Sequence, residues 1–291
     1  VSFLSWIFKN IMMVKPETRS VGRIALPEVT LCAVTSVNIA ATIQSLERSL
    51  GEIDFGACKL FTNRPLSIDP RKITVVPISR MESSAAYSDF LLSGLADHVE
   101  TSHCLVTQWD GHVIAPHLWR PEFLDYDYIG ASWPQFDDGH DVGNGGFSLR
   151  SKRLMEACRE PEFRKSHPED IAIGRVNRTW LEGKGMRFAP RALADLFAVE
   201  RAGELGSSFG YHGVWHMPRA IGVEAFWSLY RGLDDRGTIK HDFARILGEV
   251  GRGAGGLPRA IRMILDHVAD RLRGSGRDDA HAGPAERPDE L

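Results

Sequence analysis

The sequence predicts an α/β protein built on a mostly parallel central sheet flanked by helices. Two observations carry this. Residues 29–34 form a continuous apolar run of strand length, the signature of a strand buried on both faces, and 58–62, 73–78 and 103–108 read as further strands. Helical spacing separates the first run from the second and the third from the fourth, and this alternation of strand and helix builds a parallel sheet.

The elements follow in order. After the first run, Thr35 and Ser36 offer an N-cap, and Ile39, Ile43, Leu46 and Leu50 repeat at helical spacing until Gly51 closes the helix. The second strand is stopped by Asn63-Arg64-Pro65, and a helix over 84–97 precedes the fourth strand. Short strands are expected at 126–131 and 146–150, with a polar loop at 135–141 between them. Helices follow at 151–159 and 168–181. Residues 209–216 form an aromatic and histidine-rich loop, and from Gly222 onward the spacing is helical.

Four segments result: an N-terminal amphipathic stretch at 1–22, the α/β domain at 23–221, a helical extension at 222–272 and a disordered tail at 273–291. The tail has almost no large apolar groups to bury. Residues 3–14 are apolar but interrupted by Lys9 and Asn10, and fall short of the ~20 residues a membrane span requires. A docking helix or a frayed end fits this stretch best. A segment resting on a membrane surface is the alternative, which would make the protein membrane-associated.

Of 291 residues, 35 are Lys or Arg and 38 are Asp or Glu, so the net charge of −3 supplies no attraction for nucleic acid. Cys32, Cys58, Cys104 and Cys158 are widely spaced and form no Cys-x-x-Cys pair, which points to reduced core thiols and a cytoplasmic protein.

An open sheet binds its ligand beyond the carboxyl ends of its strands. Thr35 and Asn38 lie past the first strand, Asn63 and Arg64 past the second, and Gln108-Trp109-Asp110-Gly111 closes the fourth. Asp110 is a candidate ligand for a divalent cation, Mn2+ or Mg2+, and the glycine-flanked His212 is the candidate second ligand. Asp125 and Asp127 are rival carboxylates. In Val142-Gly143-Asn144-Gly145-Gly146-Phe147-Ser148, three glycines within four positions bare the backbone, so a sugar or acceptor could approach at Asn144, Gly145 and Gly146. Glu169 and Asp170 sit at a helix start, where free N–H groups favour carboxylates and depress their pKa. Such a carboxylate stays ionised and could act as a general base, Asp170 first, with Glu169 positioning the acceptor. Each also has a plain structural reading, as a turn, a cap or core. Trp133 could line the crevice or simply be buried.

Gln-Trp-Asp-Gly, Asp-Tyr-Ile-Gly-Ala-Ser-Trp, Val-Gly-Asn-Gly-Gly-Phe-Ser-Leu-Arg-Ser and Phe-Gly-Tyr-His-Gly occur here in this order. Together they resemble an uncharacterised family, a domain of unknown function similar to nucleotide-sugar glycosyltransferases of the GT-A (Rossmann-like) fold, over residues 30–217. The resemblance implies that Asp110 is the last acid of an Asp-x-Asp metal motif and that His212 completes the metal site. It also implies that Glu169-Asp170-Ile171 corresponds to a Glu-Asp-Val segment whose second acid is the base. Gln108 replaces the first acid of the metal motif, which implies a cation that is weakly held or dispensable.

The expected function is an inverting glycosyltransferase that takes a nucleoside-diphosphate sugar and a glycan or other hydroxyl acceptor. A non-catalytic carbohydrate- or nucleotide-binding module on the same fold is the alternative. A metal-dependent hydrolase using His103, Asp110, His112 and His117 ranks third, because these residues show no recognised ligand spacing.

Overall fold

The computed structural model describes residues 23–274, so the amphipathic stretch at 1–22 and the tail beyond 274 lie outside the described residues. The chain runs β1 (Ile24–Val34), α1 (Ile39–Glu52), β2 (Ile53–Thr62), β3 (Thr74–Pro77), α2 (Ser84–Ser93), β4 (His103–Thr107), β5 (Gly111–Val113), β6 (Tyr128–Ile129) and β7 (Phe147–Ser151). There follow α3 (Lys152–Ala157), α4 (Glu169–Ile171), α5 (Arg178–Gly183), α6 (Arg191–Phe197), β8 (Ala198–Val199) and β9 (Gly210–His212). Four helices close the described chain: α7 (Met217–Ala220), α8 (Val223–Arg231), α9 (Phe243–Val250) and α10 (Gly256–Gly274).

Six strands form the central sheet in the order β3-β2-β1-β4-β7-β6. β3, β2, β1 and β4 are mutually parallel, and β7 runs antiparallel to both β4 and β6. From β1 the chain steps outward to β2 and β3, then returns to the other side of β1 at β4. The direction of winding therefore switches between β1 and β4, where an open sheet leaves a crevice at its carboxyl edge. A smaller sheet, β5-β9-β8, stands beyond that edge.

Side-chain alternation divides the core between the two faces of the large sheet. Leu31, Ala33, Leu60, Leu105 and Leu149 meet Leu46 of α1 and the rings of Phe123, Phe147, Phe197 and Phe209 on one face. Cys32, Val34, Phe61, Cys104 and Val106 meet Leu91 of α2 and Leu95 on the other. All four cysteines are free and buried. Phe226, Leu229, Tyr230, Ile246 and Met263 of the C-terminal helices share a third core with Trp109, Tyr211 and Trp215.

Several local expectations need correction. Neither Thr35 nor Ser36 caps α1. Asn38 precedes it in the left-handed region (φ 53°), and its side chain leaves the helix altogether. The helix expected over 168–181 is broken: α4 passes into a π-helical turn at Ala172–Val176 before α5 begins. The expected loop at 209–216 contains β9, which pairs with β5 and β8. Asp125 ends a short 3-10 turn, so it does not share a strand face with Asp127.

Candidate active site

The β4-to-β5 turn and β9 together build the first half of the site. The backbone N–H of Gln108 donates to the Gly146 carbonyl (3.0 Å), and that of Gly213 donates to the Asp110 carbonyl (3.0 Å). Gly111 pairs with His212 across the strands. These bonds bring three side chains together. His212 Nε2 lies 3.5 Å from Asp110 Oδ1 and 3.3 Å from Gln108 Oε1. The amide nitrogen of Gln108 donates to the Tyr87 hydroxyl at 3.0 Å, and the other imidazole nitrogen, Nδ1, lies 3.1 Å from Glu200 Oε1.

This arrangement concentrates acceptors. Asp110 is 4% exposed, and its Oδ1 is buried without a hydrogen-bond partner. Burial alone would lower the His212 pKa, but Asp110 and then Glu200 outweigh it and push the value up to about 10. One positive charge therefore belongs between Asp110 Oδ1, Gln108 Oε1 and His212 Nε2, and the imidazolium proton supplies it. An imidazole fixed from behind by a carboxylate is also a common metal-ligand arrangement. The protein donors are sparse. Among the described residues, no group of three or more His, Cys, Asp and Glu could hold a metal ion.

The second half is built on the neighbouring residue. The Gly145 N–H donates to Asp170 Oδ2 (3.2 Å), and the Ile171 N–H donates to Asp170 Oδ1 (2.8 Å). Burial and then the adjacent Glu169 carboxylate push the Asp170 pKa up to about 6, against the pull of these two N–H groups. The depression expected from a helix start is thus reversed, because a three-residue helix supplies little dipole to oppose desolvation. Asp170 nevertheless keeps part of its surface open.

Glu169 faces elsewhere. Its Oε1 pairs with Arg150 (3.1 Å), its Oε2 accepts from the Ser88 hydroxyl (3.0 Å), and it is 4% exposed. This buried ion pair fixes the start of α4 and leaves no carboxylate oxygen for an acceptor. The glycines also differ from the expected ligand platform. A Cβ on Gly145 would stand 2.0 Å from Glu169 Oε1, and one on Gly146 would stand 2.1 Å from His212 Nε2. Their bare faces are filled by the protein's own side chains. Asn144 takes a left-handed turn (φ 65°), and its side-chain oxygen accepts from the Gly146 N–H at 3.0 Å.

A cavity of ≈ 630 Å³ opens at the crevice between β1 and β4, lined by Thr35, Ser36, Arg80, Tyr87, Gln108 and Asp235 among others. The other candidates stand apart from it. Asn38 Nδ2 donates to the Asp235 carbonyl (2.7 Å), and its Oδ1 accepts from the N–H groups of Asp234 and Asp235. It clasps the C-terminal extension to α1 and has no atom left for a donor. Asn63 and Arg64 follow β2 but do not line the cavity. Trp133 is 6% exposed and lies against Gly143, where a Cβ would meet its ring at 1.8 Å, so it is core.

The rival chemistry falls away by position. Asp127 binds Ser151, Arg153 and the Arg187 N–H. Ser151 pairs with His103 at the amino end of β4, on the edge opposite the crevice. The same register separates His103 from Asp110, and His112 is buried against the Tyr211 hydroxyl (3.1 Å), so no hydrolase cluster assembles.

Glu200, Arg150, Ser88, Tyr87 and Arg80 join the site without a motif of their own in the sequence. Glu200 carries one faint signal, an acid directly after the apolar Phe-Ala-Val of 197–199.

Solved structures that this fold resembles include glycosyltransferases, at low identity. A mannosyltransferase from Pyrobaculum calidifontis, in complex with GDP-mannose and Mn2+, is 13% identical over 95% of this chain and 87% of that one, with a TM-score of 0.36. A glycosyltransferase involved in glycosylation of the major capsid of PBCV-1 is 12% identical over 70% of this chain and 98% of that one, with a TM-score of 0.41. The glycosyltransferase GlyE in Streptococcus pneumoniae TIGR4 is 11% identical, over 52% of this chain and 42% of that one, with a TM-score of 0.31. No curated protein matches the chain. Residues 71–212 match the family model described as "Protein of unknown function (DUF5672)". That stretch holds three of the four sequence motifs in full and the fourth as far as His212.

Proposed function

We propose that the protein is an inverting glycosyltransferase that uses a nucleoside-diphosphate sugar. The observation that carries this reading is the division of labour across two consecutive glycines. Asp170 hangs from the Gly145 N–H, while His212, with Asp110 behind it, lies over Gly146. A base and an electropositive centre thus flank one short segment at the winding switch of the sheet, where such sheets hold nucleotides.

The donor nucleotide would occupy the cavity between β1 and β4, whose volume suits a small-molecule site. Arg80 on its wall offers a guanidinium suited to a phosphate. Asp170 would take the proton of an acceptor hydroxyl. The resulting oxygen would bond to the anomeric carbon as the bond from that carbon to the diphosphate breaks on the opposite face, releasing the nucleoside diphosphate. A base with a pKa near 6 is ionised at neutrality and still a competent proton acceptor, and such positioned bases contribute ~10² to 10⁴-fold. Asp110, His212 and Gln108 would hold a divalent cation, which would neutralise charge on the departing diphosphate. Glu200 would orient His212 for that task.

Binding and nucleotide release across UDP-, GDP- and dTDP-sugars test the reading. Turnover with one of them supports it. Saturable binding without turnover, over a broad acceptor panel, would instead support a binding module, the alternative that Gln108 favours. Binding of none would refute both.

A further inference from the structure

The terminal helix α10 is amphipathic, and it is docked the wrong way round. Leu257, Ile261, Ile264, Leu265, Val268 and Leu272 face solvent, with exposures from 43% for Ile264 to 73% for Leu272. At 100° per residue these positions fall within an arc of about 100°, one continuous stripe. The opposite side of the helix holds it to the body, largely through polar groups. Asp270 accepts from Arg236 (2.8 and 2.9 Å), Asp266 from the Tyr230 hydroxyl (3.3 Å), and Arg259 pairs with Glu224. Among the described residues of this helix, Met263 is the one buried large apolar side chain.

An isolated apolar stripe held outward by ion pairs has a cost in water unless something covers it. Its surroundings indicate what does. Arg262 and Arg271 occupy helix positions on either flank of the stripe. Residues 243–274 contain six Arg and three acidic residues in a chain whose net charge is −3, so positive charge gathers at this end. Beside the helix, a groove lined by Trp227, Arg231, Arg236, Arg262 and Asp266 adds an indole and the Arg231 guanidinium, while Arg236 and Arg262 there pair with Asp270 and Asp266. An apolar face edged by arginine and tryptophan suits the water–lipid boundary. Among the described residues no helix is long and apolar enough to cross a membrane, so α10 would lie along the surface. A second copy is a poorer occupant. The stripe spans roughly 23 Å by 10 Å, well below the ~800 Å² per partner of a stable interface.

We infer that α10 is a membrane-surface contact that seats its outward stripe in the boundary of an anionic lipid bilayer, with the flanking arginines at the headgroups. The acidic residues beyond 274 would weaken this attraction and do not create it.

The test is vesicle flotation with the full chain, on phosphatidylcholine with and without about 30% phosphatidylserine. Wild type should bind the anionic vesicles, with about tenfold weaker binding to neutral ones and a fall with added salt. The double variant Leu265→Glu/Val268→Glu should lose about tenfold in vesicle binding while keeping its melting temperature, since neither side chain is buried. Should that variant fold poorly, Arg231→Glu provides the second arm and should weaken binding to anionic vesicles alone. No wild-type binding, or equal binding by the variants, would overturn the inference; equal binding would shift the contact to residues 1–22. A wild-type dimer that the double variant dissociates would overturn it in favour of a second copy.

Discussion

The imidazole of His212 occupies the space where a side chain at Gly146 would begin. A Cβ there would lie 2.1 Å from Nε2 and 2.4 Å from the adjacent ring carbon. Gly146→Ala should therefore push the ring out of its place between Asp110, Gln108 and Glu200 while leaving the sheet intact. We expect donor binding to fall by about tenfold or more, with a loss of about 1–3 kcal/mol in stability from overpacking. Calorimetric titration alongside thermal melting checks this, and unchanged donor affinity would detach His212 from the donor site.

Arg150 and Glu169 form a pair whose side chains are 1% and 6% exposed. Removing one partner leaves a buried charge, so Arg150→Met should cost about 3–5 kcal/mol. Replacing both, as Arg150→Met/Glu169→Leu, should recover part of that loss. Chemical denaturation of the three proteins measures it. A single variant as stable as wild type would mean that the pair does not hold α4.

Asp170 sets the expected pH dependence. Burial and then Glu169 raise its pKa from the ordinary 3.8 to about 6 in the folded protein. The folded state thus binds this proton more tightly than the unfolded chain, and stability from this group is present below pH 4 and lost as pH rises through about 6. Asp170→Asn should gain stability relative to wild type over that window. Turnover should rise through pH 6 and flatten above 7 as the base ionises. Parallel melting curves and rate profiles from pH 4 to 8 test both, and a rate independent of pH over this range would remove Asp170 as the base.

If Asp110 and His212 share a cation, they act as one unit. Asp110→Ala and His212→Ala should each weaken donor binding in manganese buffer, and the double variant should be little worse than either. In chelator, wild type should fall toward the variants. Donor titrations with and without chelator decide this. Wild type undiminished in chelator, beside an inactive Asp110→Ala, would assign Asp110 directly to the donor.

Much of the large sheet could be read from the sequence, because the second half of β1, the end of β2 and all of β4 are buried on both faces and are mostly apolar. β5, β8 and β9 span only two or three residues each, too few for any period to emerge. Their pairing is what carries Glu200 to His212, which explains why a lone acid in a loop-like stretch gave almost no signal. Asp110 and Asp127 look equivalent as acids beside apolar strands. Only the antiparallel register of β7 places them at opposite edges of the sheet. The close glycines were visible as positions where something approaches the backbone. Sequence could not show that the visitors are Glu169 and His212, since both arrive from distant segments. Asn38 misled for a similar reason: its partners, Asp234 and Asp235, lie nearly two hundred residues away.

The proposed reaction turns on Asp170 taking a proton from an acceptor hydroxyl during sugar transfer. The most direct measurement is product formation by wild type and Asp170→Asn with one donor and acceptor, paired with donor affinity for each. Asparagine keeps the volume and removes the proton acceptor, so turnover should fall by about 10² to 10⁴-fold while donor affinity stays within about twofold. Turnover by Asp170→Asn at the wild-type rate, with donor still bound, would mean that Asp170 is not the base.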